Sequence, residues 1–190
     1  MDAHADLAHQ PTVVVAFASH DGHAAAIARR VGERLGARGV DARVVDLGEA
    51  DHASDVTDGA ALVAVVAAVR YGRHLPAAER FLSGYGKLTS PPPIAVASVN
   101  LTARKPNKRT LETNPYLKKT VARHRLAPRA TAVFAGRLDY PRYRWFDRQM
   151  IRFIMLVTGG PTDGRTTIDY TDWTTVDAFA DAVAGALVDG

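Results

Sequence analysis

At 190 residues, with 47% hydrophobic and 23% charged residues, the chain has the balance of a globular domain with a substantial core, which excludes a disordered chain. There is no cysteine, so disulfides and thiolate metal sites are excluded, a reducing cytoplasm is compatible, and no metal site is expected. The net charge of +4 is uneven: residues 101–152 hold 14 Lys or Arg against Glu112, Asp139 and Asp147, a net of +11, and the rest carries −7, so the basic quarter points to an anionic substrate, lipid headgroups or nucleic acid.

Residues 1–11, "MDAHADLAHQP", read as a loose polar tail without the apolar core of a signal peptide. No apolar run approaches the roughly 18 residues that span a bilayer. Residues 12–190 read as a single domain. Thr12–Phe17 is a buried strand, and Ile27, Ala28, Val31 and Leu35 then share one helical face, with Gly39 past the helix end. Strands follow at 42–47 and 60–69, then a helix from Pro76 to Tyr85, halted by "SPPP". A strand at 94–99, a helix at 115–126 and a strand at 130–136 come next. The last helix starts near Asp172, with Val176, Phe179, Ala180, Val183 and Leu187 facing inward. Apolar strands alternating with amphipathic helices predict a doubly wound, five-stranded parallel α/β sheet of the flavodoxin type. Ligands bind such sheets outside the carboxyl ends of the strands, which selects the loops 18–24, 68–74 and 98–105.

The first loop, "ASHDGHA", lacks both the nucleoside-triphosphate and the dinucleotide glycine patterns. Ser19, His20, Asp21, Gly22, His23 and Ala24 offer a hydroxyl, a turn and a helix start, which suits one terminal phosphate. They equally suit an ordinary helix cap supplied by Ser19 or Asp21. In the second loop, Val69, Arg70, Tyr71 and Gly72 could lay a ring against a flat cofactor, or form a plain turn. Arg73 and His74 follow; His74 is a weak candidate proton acceptor, and a solvated surface histidine is the better reading. In the third, Ser98, Val99, Asn100, Leu101 and Ala103 could meet a heteroaromatic edge. Arg104, Lys105, Lys108 and Arg109 add positive charge that could also be a solvated face.

The segment 137–165 is an insertion before the last helix. A helix from about Arg142 would align Arg144, Arg148 and Arg152 on one side. Phe146, Met150, Phe153, Ile154 and Val157 would lie opposite, with Trp145 beside the arginines. Such a segment lies in a membrane interface, cups an apolar anionic ligand, or packs on the sheet with its arginines in water.

"SHDGH", "VRYGRH", "SVNLTARKPNKRT", "YPRYRWFDRQMI", "GGPTD" and "YTDW" together resemble the bacterial menaquinone-dependent protoporphyrinogen IX dehydrogenases, flavodoxin-fold enzymes of haem biosynthesis. The resemblance implies FMN, with its phosphate at 19–24 and its ring held by 69–72 and 98–103. It implies six-electron oxidation of a porphyrinogen in three flavin cycles, electrons passing to menaquinone or another quinone. It also implies that Arg104, Lys105, Arg142, Arg144, Arg148 and Arg152 meet propionates or an anionic membrane surface. The protein would then be cytoplasmic and peripheral on the inner face of the cell membrane, and a homo-oligomer is compatible. Ala24 departs from the family's phosphate loop, which usually ends in a hydroxyl residue; one lost hydrogen bond to a charged group costs roughly 1.5–3 kcal/mol. A flavodoxin-type electron carrier and an NAD(P)H:quinone reductase are the alternatives. The basic segment carries no nucleic-acid motif, so no nucleic-acid partner is expected.

Overall fold

The computed structural model describes residues 12–142 and 145–188. Five parallel strands form the sheet in the order β2-β1-β3-β5-β6: β1 Thr12–Ala18, β2 Asp41–Asp46, β3 Ala60–Arg70, β5 Ile94–Asn100 and β6 Ala130–Ala135. The two-residue β4, Arg73–His74, folds back antiparallel on β3. Strand alternation divides β1 between two cores. Val13, Val15 and Phe17 meet Ile27, Val31 and Leu35 of α1 (His23–Gly36) together with Val176, Phe179 and Val183 of α6 (Trp173–Gly185). Val14, Ala16 and Ala18 face the opposite layer. There Val56 of α2 (Ala53–Thr57), Phe81 and Leu82 of α3 (Pro76–Tyr85), and Leu117 of α4 (Pro115–Arg123) cover the sheet.

The chain leaves β1 toward β2 on one side and returns to β3 on the other. The order therefore reverses between β1 and β3, and a crevice opens at their carboxyl ends. Proline at the first position starts α3 and α4, and Asn114 caps α4 by accepting from the N–H groups of Tyr116 and Leu117. Bidentate Arg30–Asp177 and Arg34–Asp181 pairs bind α1 to α6 along their outer faces.

The segment after β6 is more elaborate than a single inserted helix. β7 (Arg137–Asp139) pairs antiparallel with β8 (Thr167–Asp169), so the added hairpin closes at Asp169. Between them lies α5 (Trp145–Thr158), which begins three residues later than predicted; Tyr140–Arg142 form a short 3-10 turn instead. A small third core of Leu138, Tyr140 and Met155 holds it, with Ile151 and Tyr170 against its rim.

The helix packs inward through Met155 and Ile151. Met155 is fully buried and Ile151 partly so, whereas Phe153, placed by the sequence on the apolar face opposite the arginines, is 65% exposed beside Leu156 (68%) and Trp145 (73%). Arg144 lies outside the described residues, as do the side chains of Arg142, Phe146, Ile154 and Val157.

Candidate functional site

The crevice is bordered by the loop after each of β1, β3, β5 and β6. At the first, no side chain caps α1: its N-cap is Gly22, at φ 81, and neither Ser19 nor Asp21 bonds to the opening turn. The capping alternative is therefore not what the chain does. Ser19 Oγ is buried and has no hydrogen-bond partner. An uncapped helix start beside an orphaned hydroxyl is an expensive arrangement in an empty protein and a suitable one for an anion. His20, Asp21, His23 and Ala24 line the crevice with Ser19, while Gly22 supplies the turn itself.

At the second loop, Val69 pairs with His74 and Arg70 with Arg73, leaving Tyr71 and Gly72 as a two-residue turn. Both have positive φ, 51° and 75°, as a tight hairpin of right-handed twist requires. Glycine adopts this freely, but a tyrosine held there carries strain, and such strain collects where a side chain must be aimed. The Tyr71 ring is 57% exposed at the crevice, with the Arg70 guanidinium 5.0 Å from its centroid.

The third loop is set by a buried polar network. Asn100 Oδ1 accepts from the Ala103 N–H at 3.1 Å and from Asn114 Nδ2 at 3.2 Å. Asn100 Nδ2 donates to Ser98 Oγ at 3.1 Å. The ring of His74 joins the same chain, with Nε2 at 2.9 Å from Ser98 Oγ and Nδ1 at 2.9 Å from Thr120 Oγ1.

His74 is thus neither solvated nor free to take a substrate proton. It is 4% exposed and both its nitrogens are engaged. Burial lowers its pKa to about 4, partly opposed by the charge of Glu79. Between about pH 6.5 and 4 the unfolded chain takes up this proton and the folded one does not, so stability falls as pH falls through that window. The loss attributable to His74 should reach up to about 3 kcal/mol. Denaturant unfolding of wild type and His74→Asn at pH 7 and pH 4.5 checks this: the variant should lose less stability on acidification, and equal losses would refute it.

Val99, Asn100 and Leu101 line the crevice, while Ser98 and Ala103 are fully buried behind it and fix its shape. Among the described residues, the predicted basic side chains of Arg104, Lys105, Arg148 and Arg152 are placed elsewhere. Arg104 donates to the Leu101 carbonyl and Arg109 to that of Ala103, and neither they nor Lys105 borders the crevice. Arg148 Nε donates to the Tyr140 carbonyl at 3.2 Å and Arg152 Nε to that of Thr162 at 2.8 Å, so these arginines tie the added segment together. Met150, from the apolar face of the inserted helix, borders the crevice, and residues that sequence reasoning missed complete the wall: Gly136 and Arg137 after β6, Tyr116 of α4 and Ile151 of α5. The rule of strand carboxyl ends, extended to the last strand, would have found Gly136 and Arg137.

Comparison with known proteins agrees with this geometry. A flavodoxin domain model matches residues 14–165. A protoporphyrinogen IX dehydrogenase [quinone] from Escherichia coli (strain K12) is 37% identical over 90% of this chain and 93% of its own length. One of the same name from Leishmania major is 39% identical over 90% of this chain and 73% of its own. Among solved structures, a flavodoxin from Streptococcus pneumonia TIGR4 superposes with a TM-score of 0.56 at 15% identity, covering 92% of this chain and 98% of that one. The chain therefore belongs to the flavodoxin-domain family and, within it, to the protoporphyrinogen IX dehydrogenase [quinone] family.

Proposed function

We propose that the protein binds FMN in this crevice and oxidises protoporphyrinogen IX to protoporphyrin IX, with a quinone as electron acceptor. The observation that carries this reading is the orphaned Ser19 hydroxyl at an uncapped helix start, bordered by an exposed tyrosine and a partly apolar wall. The curated relatives carry the same activity in their names. When bound, FMN supplies two-electron acceptance, so the six-electron oxidation takes three passes.

The chain's own residues bind, orient and exclude water. Ser19 Oγ and the first N–H groups of α1 would hold the phosphate. Tyr71 and the 99–102 segment would border the ring. Met150 and Ile151 would give an apolar macrocycle a dry surface. Arg70 and Arg137 line the crevice, whereas Arg104, Arg109, Arg148 and Arg152 do not, so the first two are the proposed partners for the propionates. Anaerobic incubation of FMN-loaded protein with protoporphyrinogen should yield porphyrin fluorescence only when a quinone is added. A fully loaded sample that forms no porphyrin would favour an electron carrier instead.

Among the described residues no helix is long and apolar enough to cross a membrane. Trp145, Phe153 and Leu156 nevertheless project from one side of α5, with Arg152 among them. Helical spacing places positions 145, 149, 152, 153 and 156 on one face. Aromatic and aliphatic side chains around an arginine suit the interface of an anionic bilayer, where a quinone would be met. Peripheral attachment to the inner face of the cell membrane follows from this reading. Replacing Trp145, Phe153 and Leu156 together by Ser should weaken sedimentation with anionic liposomes about tenfold or more. Unchanged binding would leave that face without a lipid role.

A further inference from the structure

Thr171 lies between β8 and α6, in the "YTDW" stretch, 148 residues away from His23 in the chain. Its hydroxyl donates to the Ala135 carbonyl at 2.8 Å and sits 2.7 Å from Nε2 of His23. A hydroxyl has one proton. With that proton committed to Ala135, the contact to His23 requires Nε2 to be the donor, which fixes the imidazole as its Nε2–H form. Asp169 Oδ1 lies 3.7 Å from the same nitrogen, and the Trp173 ring meets the imidazole edge-on at 6.1 Å. Burial holds the His23 pKa below its ordinary value, opposed by the Asp169 charge and reinforced by that of Arg137, so the ring donates this bond as a neutral group near pH 7.

His23 is the first residue of α1, and local chemistry does little to fix the turn before it. No side chain caps the helix, and Gly22 is the residue with the widest conformational freedom. What fixes it is remote: the end of β6 holds Thr171, and Thr171 holds His23.

We propose that Thr171 is a positioning residue for the anion-binding turn, keeping Ser19 and the start of α1 in register with the cofactor's phosphate through His23. The proposal deepens the FMN reading and rests on it. His23, in turn, has its Nε2 committed to Thr171.

The test is titration of wild type, Thr171→Val and Thr171→Ser with FMN and with riboflavin, followed by flavin fluorescence. Riboflavin has the ring without the phosphate. Thr171→Val should weaken FMN binding about tenfold or more and change riboflavin binding by less than about twofold, while Thr171→Ser should restore FMN binding to within about threefold. FMN affinity unchanged in Thr171→Val overturns the proposal, and so does an equal weakening of both flavins, which would mark general loosening. Wild type that binds neither flavin would overturn the cofactor reading and the proposal with it, an outcome distinct from the other two.

Discussion

Ser19→Ala should weaken FMN binding by roughly 10- to 100-fold while leaving the empty protein at least as stable as wild type. The two halves of this expectation come from one atom. Ser19 Oγ is buried without a partner, so its removal relieves an unmet desolvation cost in the absence of ligand. With ligand, the same hydroxyl would donate to a phosphate, and hydrogen bonds to charged groups contribute more than neutral ones. The effect should be larger here than with a hydroxyl at position 24, because Ala24 leaves Ser19 as the hydroxyl among the loop residues at the crevice. Fluorescence titration for affinity, and thermal unfolding of the empty protein, check the two halves separately. A variant less stable when empty and equal in affinity would mean that Ser19 serves the fold.

Tyr140→Ala should abolish most turnover, by more than about tenfold, while FMN still binds. Tyr140 is fully buried, and its hydroxyl donates to the Pro161 carbonyl at 2.6 Å, bridging the two ends of the α5 segment. Truncating a buried aromatic costs about 3–5 kcal/mol. The two sheet-facing cores are extensive, but among the described residues the third has only Leu138, Tyr140 and Met155 as its fully buried members. The loss should therefore fall on α5 and open the apolar wall of Met150 and Ile151, with β1, α1 and the phosphate turn intact. Hydrogen exchange should show protection lost over 145–158 and kept over 23–36. Protection lost throughout, or turnover retained, would refute this division of labour.

How much of this was legible beforehand follows from how strongly each residue's local pattern constrains it. β1 and β3 are almost wholly apolar runs of strand length, and α6 carries a clean stripe of Val176, Phe179, Ala180 and Val183, so the doubly wound sheet was readable. α2 was not, because five residues, "ASDVT", are too short to show a helical period. α5 was recognised, but the face by which it packs on the third core was not. Apolar residues occur on both of its sides, so the sequence could not show that Met155 rather than Phe153 faces the third core. Its arginines seemed to call for an anion, yet two of them donate to the chain's own carbonyls. His74 read as a loop residue because, although Tyr71–Gly72 could be read as a turn, nothing local shows that the chain folds back on β3 there and carries the His74 ring into the interior. Thr171 was invisible for a similar reason: its role depends on a partner on the opposite end of the chain.

The most direct measurement is a crystal structure of the protein grown with FMN. The phosphate should lie within hydrogen-bonding distance of Ser19 Oγ and the first N–H groups of α1, with the ring between Tyr71 and the 99–102 segment and Met150 beyond it. A phosphate bound elsewhere, or Ser19 still unpartnered beside a bound flavin, would contradict the assignment of this crevice.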